Sequence, residues 1–139
     1  MTNIIDEIKI SIKDELYNTD NNIIFHTDEI KHTGFPFFLL TLKELKILPA
    51  ETVLKKNLEL SFELLYMKSK DNSINELIHA QKNISNALLP AIKIKNKKIT
   101  LDEPVFYIKE NKLIFNFKLN FYLFEQDTNE TMQILDLTF

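Results

Sequence analysis

Three histidines are the side chains of this sequence that could transfer protons near neutral pH or bind a metal ion. His26 and His32 flank a short polar stretch. Because that stretch contains Asp28 and Glu29, a weak metal site is conceivable there. However, no two histidines stand at HxH or HxxxH spacing, and functional histidines normally converge in sets. We therefore interpret His26 and His32 as polar loop residues and His79 as a solvent-exposed one, and we predict no metal and no cofactor.

Two pairs of carboxylates are the other residues whose types could support catalysis. Asp102 and Glu103 are adjacent in a predicted turn before Pro104. Glu59 and Glu63 lie on the polar face of a predicted strand, with lysines nearby. General acid–base catalysis needs one carboxyl group in an apolar pocket, and neither position indicates such a pocket. Since no serine lies in a nucleophile elbow either, we predict that the protein is not an enzyme.

The composition excludes several further kinds of site. The absence of cysteine excludes disulfides and cysteine-based chemistry, and it favours a reducing cytosol as the compartment. All 17 basic residues are lysines, and the net charge is −3. Because phosphate and base recognition rely on the planar arginine side chain, nucleic acid is not predicted as a specific partner. The single glycine, Gly34, excludes every glycine-rich phosphate loop.

The most concentrated charge is a group of lysines in residues 92–101, a stretch with some strand character. The group consists of Lys93, Lys95, Lys97 and Lys98. One interpretation is a patch that contacts DNA or an acidic protein surface. The other, which we favour, is a solvated connecting segment, because salt screens exposed charges.

Length and hydropathy indicate one globular domain over residues 1–139, with 45% hydrophobic and 27% charged residues. The longest apolar run, residues 35–42, is interrupted by Pro36 and is too short to span a bilayer. The N-terminal residues are acidic from Asp6 onward and lack an apolar h-region, so we predict neither a signal peptide nor a membrane partner.

The strongest pattern in the chain predicts a β-hairpin over residues 105–124, VFYIKENKLIFNFKLNFYLF. Residues 109–112 form its turn, where Asn111 tolerates a positive φ. In the second strand every other residue is large and apolar, which is typical of a strand with one buried face. These apolar positions are Leu113, Phe115, Phe117, Leu119, Phe121 and Leu123.

Two amphipathic helices are predicted to cover that apolar face. Apolar residues at three-to-four spacing predict a helix over residues 3–17. A second helix begins at a capping box formed by Ser73 and Glu76 and ends before Pro90. Its predicted apolar stripe consists of Ile74, Leu77, Ile78, Ile84 and Leu88.

Alternating residues predict further strands. These strands cover residues 23–26, 37–47 and 57–66. Because both sides of the strand at residues 37–47 are apolar at its start, we expect it to lie centrally in the sheet, covered on both faces. Residues 48–56 then form a protruding loop, because the break is longer than a tight hairpin turn. A last alternating segment covers residues 132–139.

This order of elements predicts an α+β fold, a two-layer sandwich in which two helices pack on one face of a mainly antiparallel sheet. Two helices cover one face only, yet large apolar residues also fall on the other face. They are Phe35, Phe37, Leu39, Leu65, Met67, Tyr122 and Phe124. Because exposed apolar patches usually mark protein interfaces, the sequence indicates an assembly component.

This layout resembles the phage tail terminator family, in the branch found in prophages and phage-tail-like particles of low-GC Gram-positive bacteria. The resemblance covers nearly the whole chain. It rests on the N-terminal helix, the Phe-Pro-Phe-Phe-Leu-Leu strand at residues 35–40, the second long strand, the capped helix, the hairpin over residues 105–124 and the tail MQILDLTF.

The resemblance implies a structural protein of the virion tail or of a phage-tail-like particle. Such a protein assembles as a ring, expected to be hexameric, on the head-proximal end of the tail tube. It stops tube polymerisation and offers a docking face to the head connector, and in contractile tails it also meets the sheath protein. The implied partners are further copies of the chain, the tube protein, the sheath protein and the head connector, with DNA passing through the lumen.

Two alternatives stay open beside this reading. The first is another head–tail joining or connector protein. The second is a small-ligand-binding α+β domain with a cavity between the helices and the sheet. A ring favours the terminator or the connector, whereas a stable monomer with a deep pocket favours the ligand-binding domain.

Two segments are our candidates for the contacts of a ring. Residues 48–56 are suited to reach an axial neighbour, the tube. Their candidate contact residues are Pro49, Val53, Leu54, Lys55 and Lys56. Residues 132–139 are suited to add a strand to the sheet of an adjacent subunit, and they could equally fold back onto their own sheet edge. Their candidate residues are Ile134, Leu135, Leu137 and Phe139.

Overall fold

A computed structural model of the protein describes residues 4–19, 22–30, 34–48, 55–69, 73–125 and 134–138, of which 55–56, 121–125 and 134–138 are described by their backbone alone. The elements formed by these residues are two helices, α1 (Ile4–Tyr17) and α2 (Ile74–Leu88), and eight strands. In chain order the strands are β1 (Ile24–Thr27), β2 (Phe37–Leu48), β3 (Lys55–Met67), β4 (Ala91–Ile94), β5 (Lys97–Thr100), β6 (Asp102–Lys109), β7 (Lys112–Glu125) and β8 (Ile134–Thr138).

The two predicted helices are confirmed, and each packs on the core through one apolar face. The buried residues of α1 recur every four positions, and acidic Asp6 and Glu7 lie in its first turn, where they interact favourably with the helix dipole. In α2 the Ser73 side chain accepts a hydrogen bond from the Glu76 backbone N–H at 3.2 Å, as the capping box predicts. The buried residues are Ile4, Ile8, Ile12 and Leu16 in α1 and Leu77, Ala80, Ile84 and Leu88 in α2.

The predicted apolar stripe of α2 is wrong at two positions. Ile74 is 65% exposed and Ile78 is 46% exposed. Successive helix residues are rotated by about 100° around the axis, so a face centred on Leu77 and Ala80 leaves these two isoleucines on its flank. Periodicity alone located the helix but not the centre of its buried face.

The main sheet has the strand order β1-β2-β3-β7-β6, and β8 also pairs with β7. β1 and β2 are parallel, whereas the other described pairs of this sheet are antiparallel. The turn between β6 and β7 is tight, and its residues Glu110 and Asn111 have φ values of 53° and 61°. The hairpin predicted from the sequence is thereby confirmed, as is the α+β sandwich with a mainly antiparallel sheet.

The core lies between the helical layer and one face of the sheet. On β3 and β7 the buried residues are the alternate, apolar ones, as the sequence pattern predicts. The Phe106 and Phe115 rings stack with centroids 4.1 Å apart, which ties β6 to the same core. The buried residues of the two central strands are Leu58, Leu60, Phe62, Leu64, Tyr66, Leu113, Phe115, Phe117 and Leu119.

Residues 91–100 form a second, small sheet, in which β4 and β5 are an antiparallel hairpin. The interpretation of this stretch as a connecting segment was therefore wrong. Three isoleucines are buried and join the helices in the core, while the lysines alternate with them. The buried isoleucines are Ile92, Ile94 and Ile99. Each strand is only four residues long, too short for alternation to identify it against a surrounding run of lysines.

Candidate interaction surfaces

One edge of the main sheet is open along much of β2. β2 pairs with β1 over residues 37–40 only. From residue 41 to residue 48 it pairs with β3 on one side, and no other described strand lies along its second side. We call residues 41–48 the β2 edge. It carries three large apolar side chains in four residues, and Leu45, Ile47 and Leu48 are 44%, 59% and 41% exposed.

Two of these side chains lie on the face of the sheet that carries the core. Leu45 is directly opposite Leu60, and Ile47 is directly opposite Leu58. Directly opposed residues share one face of a sheet, and both β3 partners are buried. A β-bulge at Lys43 shifts the register by one residue and puts Leu45 and Ile47 on this face. The core face therefore continues to a border that the helices leave exposed.

The predicted axial contact segment begins and ends differently from our expectation. β2 continues to residue 48 and β3 begins at residue 55, so the connection is shortened from residues 48–56 to residues 49–54. Lys55 and Lys56 are the first residues of β3, where their backbone pairs with β7. Three candidates lie outside the described residues, namely Pro49, Val53 and Leu54. A contact of this segment with the tail tube stays a prediction.

The C-terminal segment forms a strand on its own chain. β8 contains Ile134, Leu135 and Leu137 and pairs antiparallel with residues 122–125 of β7. Phe139 lies outside the described residues. This pairing uses one edge of β8, and among the described residues no strand lies along the other edge. A role of this segment between neighbouring subunits stays a prediction.

The face of the sheet turned away from the helices, here called the outer face, carries a line of ion pairs across four strands. Lys46 Nζ lies 3.9 Å from Glu59 Oε1. Lys118 Nζ lies 3.5 Å from the same Glu59 oxygen and 3.1 Å from Glu103 Oε2. The hydrogen bond to Glu103, together with the charges of Glu103 and Glu59, raises the pKa of Lys118 above its ordinary value of 10.5.

The two carboxylate pairs singled out in the sequence belong to this polar surface. Glu59 and Glu63 each face a lysine, the latter with Lys43 Nζ at 3.6 Å from its Oε2 atom. Asp102 is exposed and accepts a hydrogen bond from the side-chain amide of Asn120 at 2.8 Å. These carboxylates contact lysine ammonium groups and an asparagine amide on an open face of the sheet. Acid–base catalysis requires an apolar pocket instead.

The opposite end of the outer face is apolar. One row of side chains crosses four strands, through Leu39, Leu65, Ile114 and Tyr107. Next to this row, Phe37 is buried, and the exposed ring of Phe35 lies against it with centroids 5.6 Å apart. The predicted apolar surface is therefore present on this face at Phe35, Leu39 and Leu65, whereas Phe37 is covered. The side chains of Tyr122 and Phe124 lie outside the described part of the structure.

The three histidines do not converge. His26 lies on β1, is 4% exposed, and packs edge-on against the Phe37 ring with centroids 5.7 Å apart. Its interpretation as a polar loop residue was wrong, because the parallel pairing of β1 with β2 places it beside Phe37. His79 is exposed on α2, as predicted, and His32 lies outside the described residues. No group of three or more potential metal-binding side chains occurs in the described part of the chain.

Comparison with protein families matches residues 7–131 to the family described as phage tail terminator protein. This match spans most of the chain, from the first turn of α1 past the end of β7. The chain belongs to the phage tail terminator family. Comparison with curated proteins gave no match. No helix in the described ranges of the chain is long and apolar enough to cross a membrane.

Among solved structures, this chain is similar to a chain from the virion of a native gene transfer agent particle. The two chains are 8% identical, with a TM-score of 0.50. The likeness covers 81% of this chain and 91% of the other. At such low identity the likeness shows a shared fold.

The surface feature of this chain that sequence reasoning missed is the β2 edge. Residues 37–47 were predicted as a central strand covered on both faces, and this holds only for its first few residues. The alternation of Leu45 and Ile47 with Glu44 and Lys46 was a usable signal. A strict two-residue period starting at Phe38 does not reveal this alternation, because the bulge at Lys43 shifts the period by one residue.

The lysines of the β4–β5 hairpin are only partly neutralised within the described residues. Lys95 Nζ lies 3.3 Å from Glu7 Oε2 on α1. Lys93 and Lys98 stand directly opposite each other and are exposed. Like charges in opposed positions are mildly unfavourable in a sheet, so this hairpin presents a small basic surface beside α1.

Proposed function

We propose that this protein forms a ring on the head-proximal end of the tail tube, where it stops tube polymerisation and offers a docking face to the head connector. The match to the phage tail terminator protein family over residues 7–131 is the observation that carries this proposal. Membership of that family makes the chain a structural component of the phage tail. The ring, its hexameric form and its contacts with tube and head are the steps that we propose beyond it.

Capping a tube requires a protein with two unlike ends, one that fits the tube and one that offers no tube-like template. The connection at residues 49–54 suits the tube-facing role, because β2 and β3 are the strands that lead to it and they are 12 and 13 residues long. We propose that its candidates make the axial contact with the tube protein. They are Pro49, Val53 and Leu54, with Lys55 and Lys56 at the start of β3.

A ring also needs a contact between neighbouring copies. We propose that β8 makes this contact through the edge that its pairing with β7 leaves open. The candidate residues are Ile134, Leu135, Leu137 and Phe139. In a contractile tail the same ring would also meet the sheath protein.

A structural role without catalysis agrees with the surface chemistry. The carboxylates Glu59, Glu63 and Glu103 face lysines on an open sheet face. Among the described residues, Phe62 and Phe115 on the core face of the sheet are at most 1% exposed, so this part of the interior is occupied by packed side chains. With no arginine and a net charge of −3, the chain is suited to let DNA pass through the ring without holding it.

Tail length is the measurement that tests the proposal. Tube protein should be assembled with and without the purified chain, and tube lengths measured by electron microscopy. We expect tubes of limited length with the intact chain, and unlimited tubes with a variant in which residues 49–54 are replaced by a short glycine–serine linker. Tube lengths that are the same with and without the chain contradict the proposal. If the chain leaves length unchanged but is needed for heads to join, it is a head–tail joining protein instead.

A further inference from the structure

We infer that the β2 edge, residues 41–48, is the docking site for strand β8 of a second copy of this chain. Neighbouring copies would then share one continuous antiparallel sheet. The inference rests on the proposed function in one respect, namely that a ring brings a second copy to this edge. It goes further by naming the surface that receives β8.

The backbone of the β2 edge is available to a new strand. Over residues 37–40 the second side of β2 pairs with β1, and the Asp28 backbone N–H donates to the Leu40 carbonyl oxygen at 2.8 Å at the end of that pairing. Beyond this point no described strand covers it. The open stretch is about 26 Å long at 3.3 Å per residue, which is sufficient for the five residues of β8.

The charged residues of this edge do not protect it. Natural proteins often guard an open edge with lysines that lean over it. Here Lys43 Nζ lies 3.6 Å from Glu63 Oε2, and Lys46 Nζ lies 3.3 Å from Glu44 Oε1 on its own strand and 3.9 Å from Glu59 Oε1 on β3, so both ammonium groups are paired with carboxylates on the outer face. On the core side of the sheet the edge presents an apolar side chain, because Ile47 is 59% exposed there.

The directions of the strands fit a ring of rotated copies. β2 is antiparallel to β3, β3 to β7 and β7 to β8, so β8 runs opposite to β2 at the far border of the sheet. Rotation about a ring axis keeps strand directions relative to that axis. The β8 strand of one copy would therefore lie antiparallel to β2 of the next, with the core faces on the same side.

The other strand at the far border, β6, is a poorer partner. It contains Pro104, which lacks a backbone N–H, and Glu103, whose φ is 49°. The register between Asp102 and Val105 is irregular as well. These features end regular pairing at that part of the border. β8 has no proline, and its one charged residue, Asp136, would meet an edge whose own charges, two lysines and Glu44, sum to +1.

Cysteine cross-linking tests this placement, because the chain contains no cysteine of its own. Leu45→Cys or Ile47→Cys is combined with a cysteine at each of three successive β8 positions, Leu135, Asp136 and Leu137. Within one chain β2 and β8 are three strand spacings apart, about 14 Å, which exceeds the reach of a disulfide. We expect at least one combination to give an oxidised ladder of covalent oligomers on denaturing gels, both from the purified chain and from isolated tails.

A substitution that should block docking provides the second readout. Ile47→Lys places a charge on the core side of the edge and should weaken ring assembly about tenfold or more, because a docked strand would bury that charge. The residue is already 59% exposed, so the thermal unfolding of the single chain should not change. Ile78→Lys, on the exposed flank of α2, is the matched control and should leave rings intact.

The outcomes separate this inference from the proposed function. The inference is overturned if Ile47→Lys still forms rings and no cysteine pair gives a ladder of covalent oligomers. The proposed capping role is not affected by that result. A covalent dimer from Ile47→Cys alone also overturns it, because it indicates pairing of two β2 edges about a twofold axis. If the unsubstituted chain is monomeric in solution and absent from isolated tails, both the proposed function and the inference fail.

Discussion

Phe62 and Phe117 face each other across the two central strands, with ring centroids 5.6 Å apart and ring planes inclined by 19°. Both side chains are buried, at 1% and 2% exposure. This contact joins β3 to β7 in the middle of the longest pairing of the sheet. The core is therefore centred on aromatic residues contributed by segments that are far apart in the chain.

Truncation of this contact should be strongly destabilising. We expect Phe117→Ala to lower the free energy of unfolding by about 3–5 kcal/mol, because it removes buried area and leaves a cavity against Phe62. Chemical denaturation measures the change. Val105→Ala, at a side chain that is 52% exposed on β6, is the control and should change stability by less than about 1 kcal/mol. A loss below 1 kcal/mol for Phe117→Ala would show that the face is not buried as described.

The cap of α2 should contribute locally. Ser73→Ala removes the acceptor of the Glu76 backbone N–H and should lower the free energy of unfolding by about 1 kcal/mol. Ser73→Asp keeps an acceptor at this position and should retain most of the stability. Denaturation midpoints of the two variants test the point, and equal midpoints for Ser73→Ala and the unsubstituted chain would contradict it.

Lys118 should make stability depend on pH in the alkaline range. Because the pKa of Lys118 is raised in the folded chain by Glu103 and Glu59, the folded state holds this proton more tightly than the unfolded state. Its stabilising contribution is fully present below the ordinary value of 10.5 and is lost as the pH rises through the raised value. The effect should be small and weakened by salt, since the side chain is partly exposed.

The readout for Lys118 is a difference between variants, because other groups also titrate at alkaline pH. As the pH rises above 10.5, the unsubstituted chain should lose more stability than Lys118→Met does. Lys98→Met, at an exposed lysine of the β4–β5 hairpin, should follow the unsubstituted chain instead. Parallel curves for the unsubstituted chain and Lys118→Met would contradict the assignment.

Deletion of residues 132–139 should separate folding from assembly. The side chains that the structure describes within residues 4–119 already form one hydrophobic cluster, so we expect a shortened chain that remains folded and no longer forms rings. Circular dichroism and native mass measurement check the two halves of this expectation. If the shortened chain unfolds, β8 belongs to the core of its own subunit. If rings still form, the contact between neighbours lies elsewhere.

Local patterns in the sequence were sufficient for most of the secondary structure. Alternation identified the strand that contains Phe115 and Phe117, because one face of β7 is buried along that stretch while the other stays polar. The Ser73–Glu76 spacing and Pro90 located the ends of α2. The resemblance to tail terminators rested on this order of elements, and the family match supports it.

Features that depend on contacts between distant segments needed the tertiary structure. His26 is buried because β1 pairs in parallel with β2, a pairing that nothing in residues 23–26 specifies. The hairpin around Lys93 and Lys98 became visible only when its isoleucines packed against the helices. The exposure of Ile47 follows from the length of β1, which stops covering β2 at residue 40, and this mismatch between two strands is a property of the assembled sheet rather than of either segment.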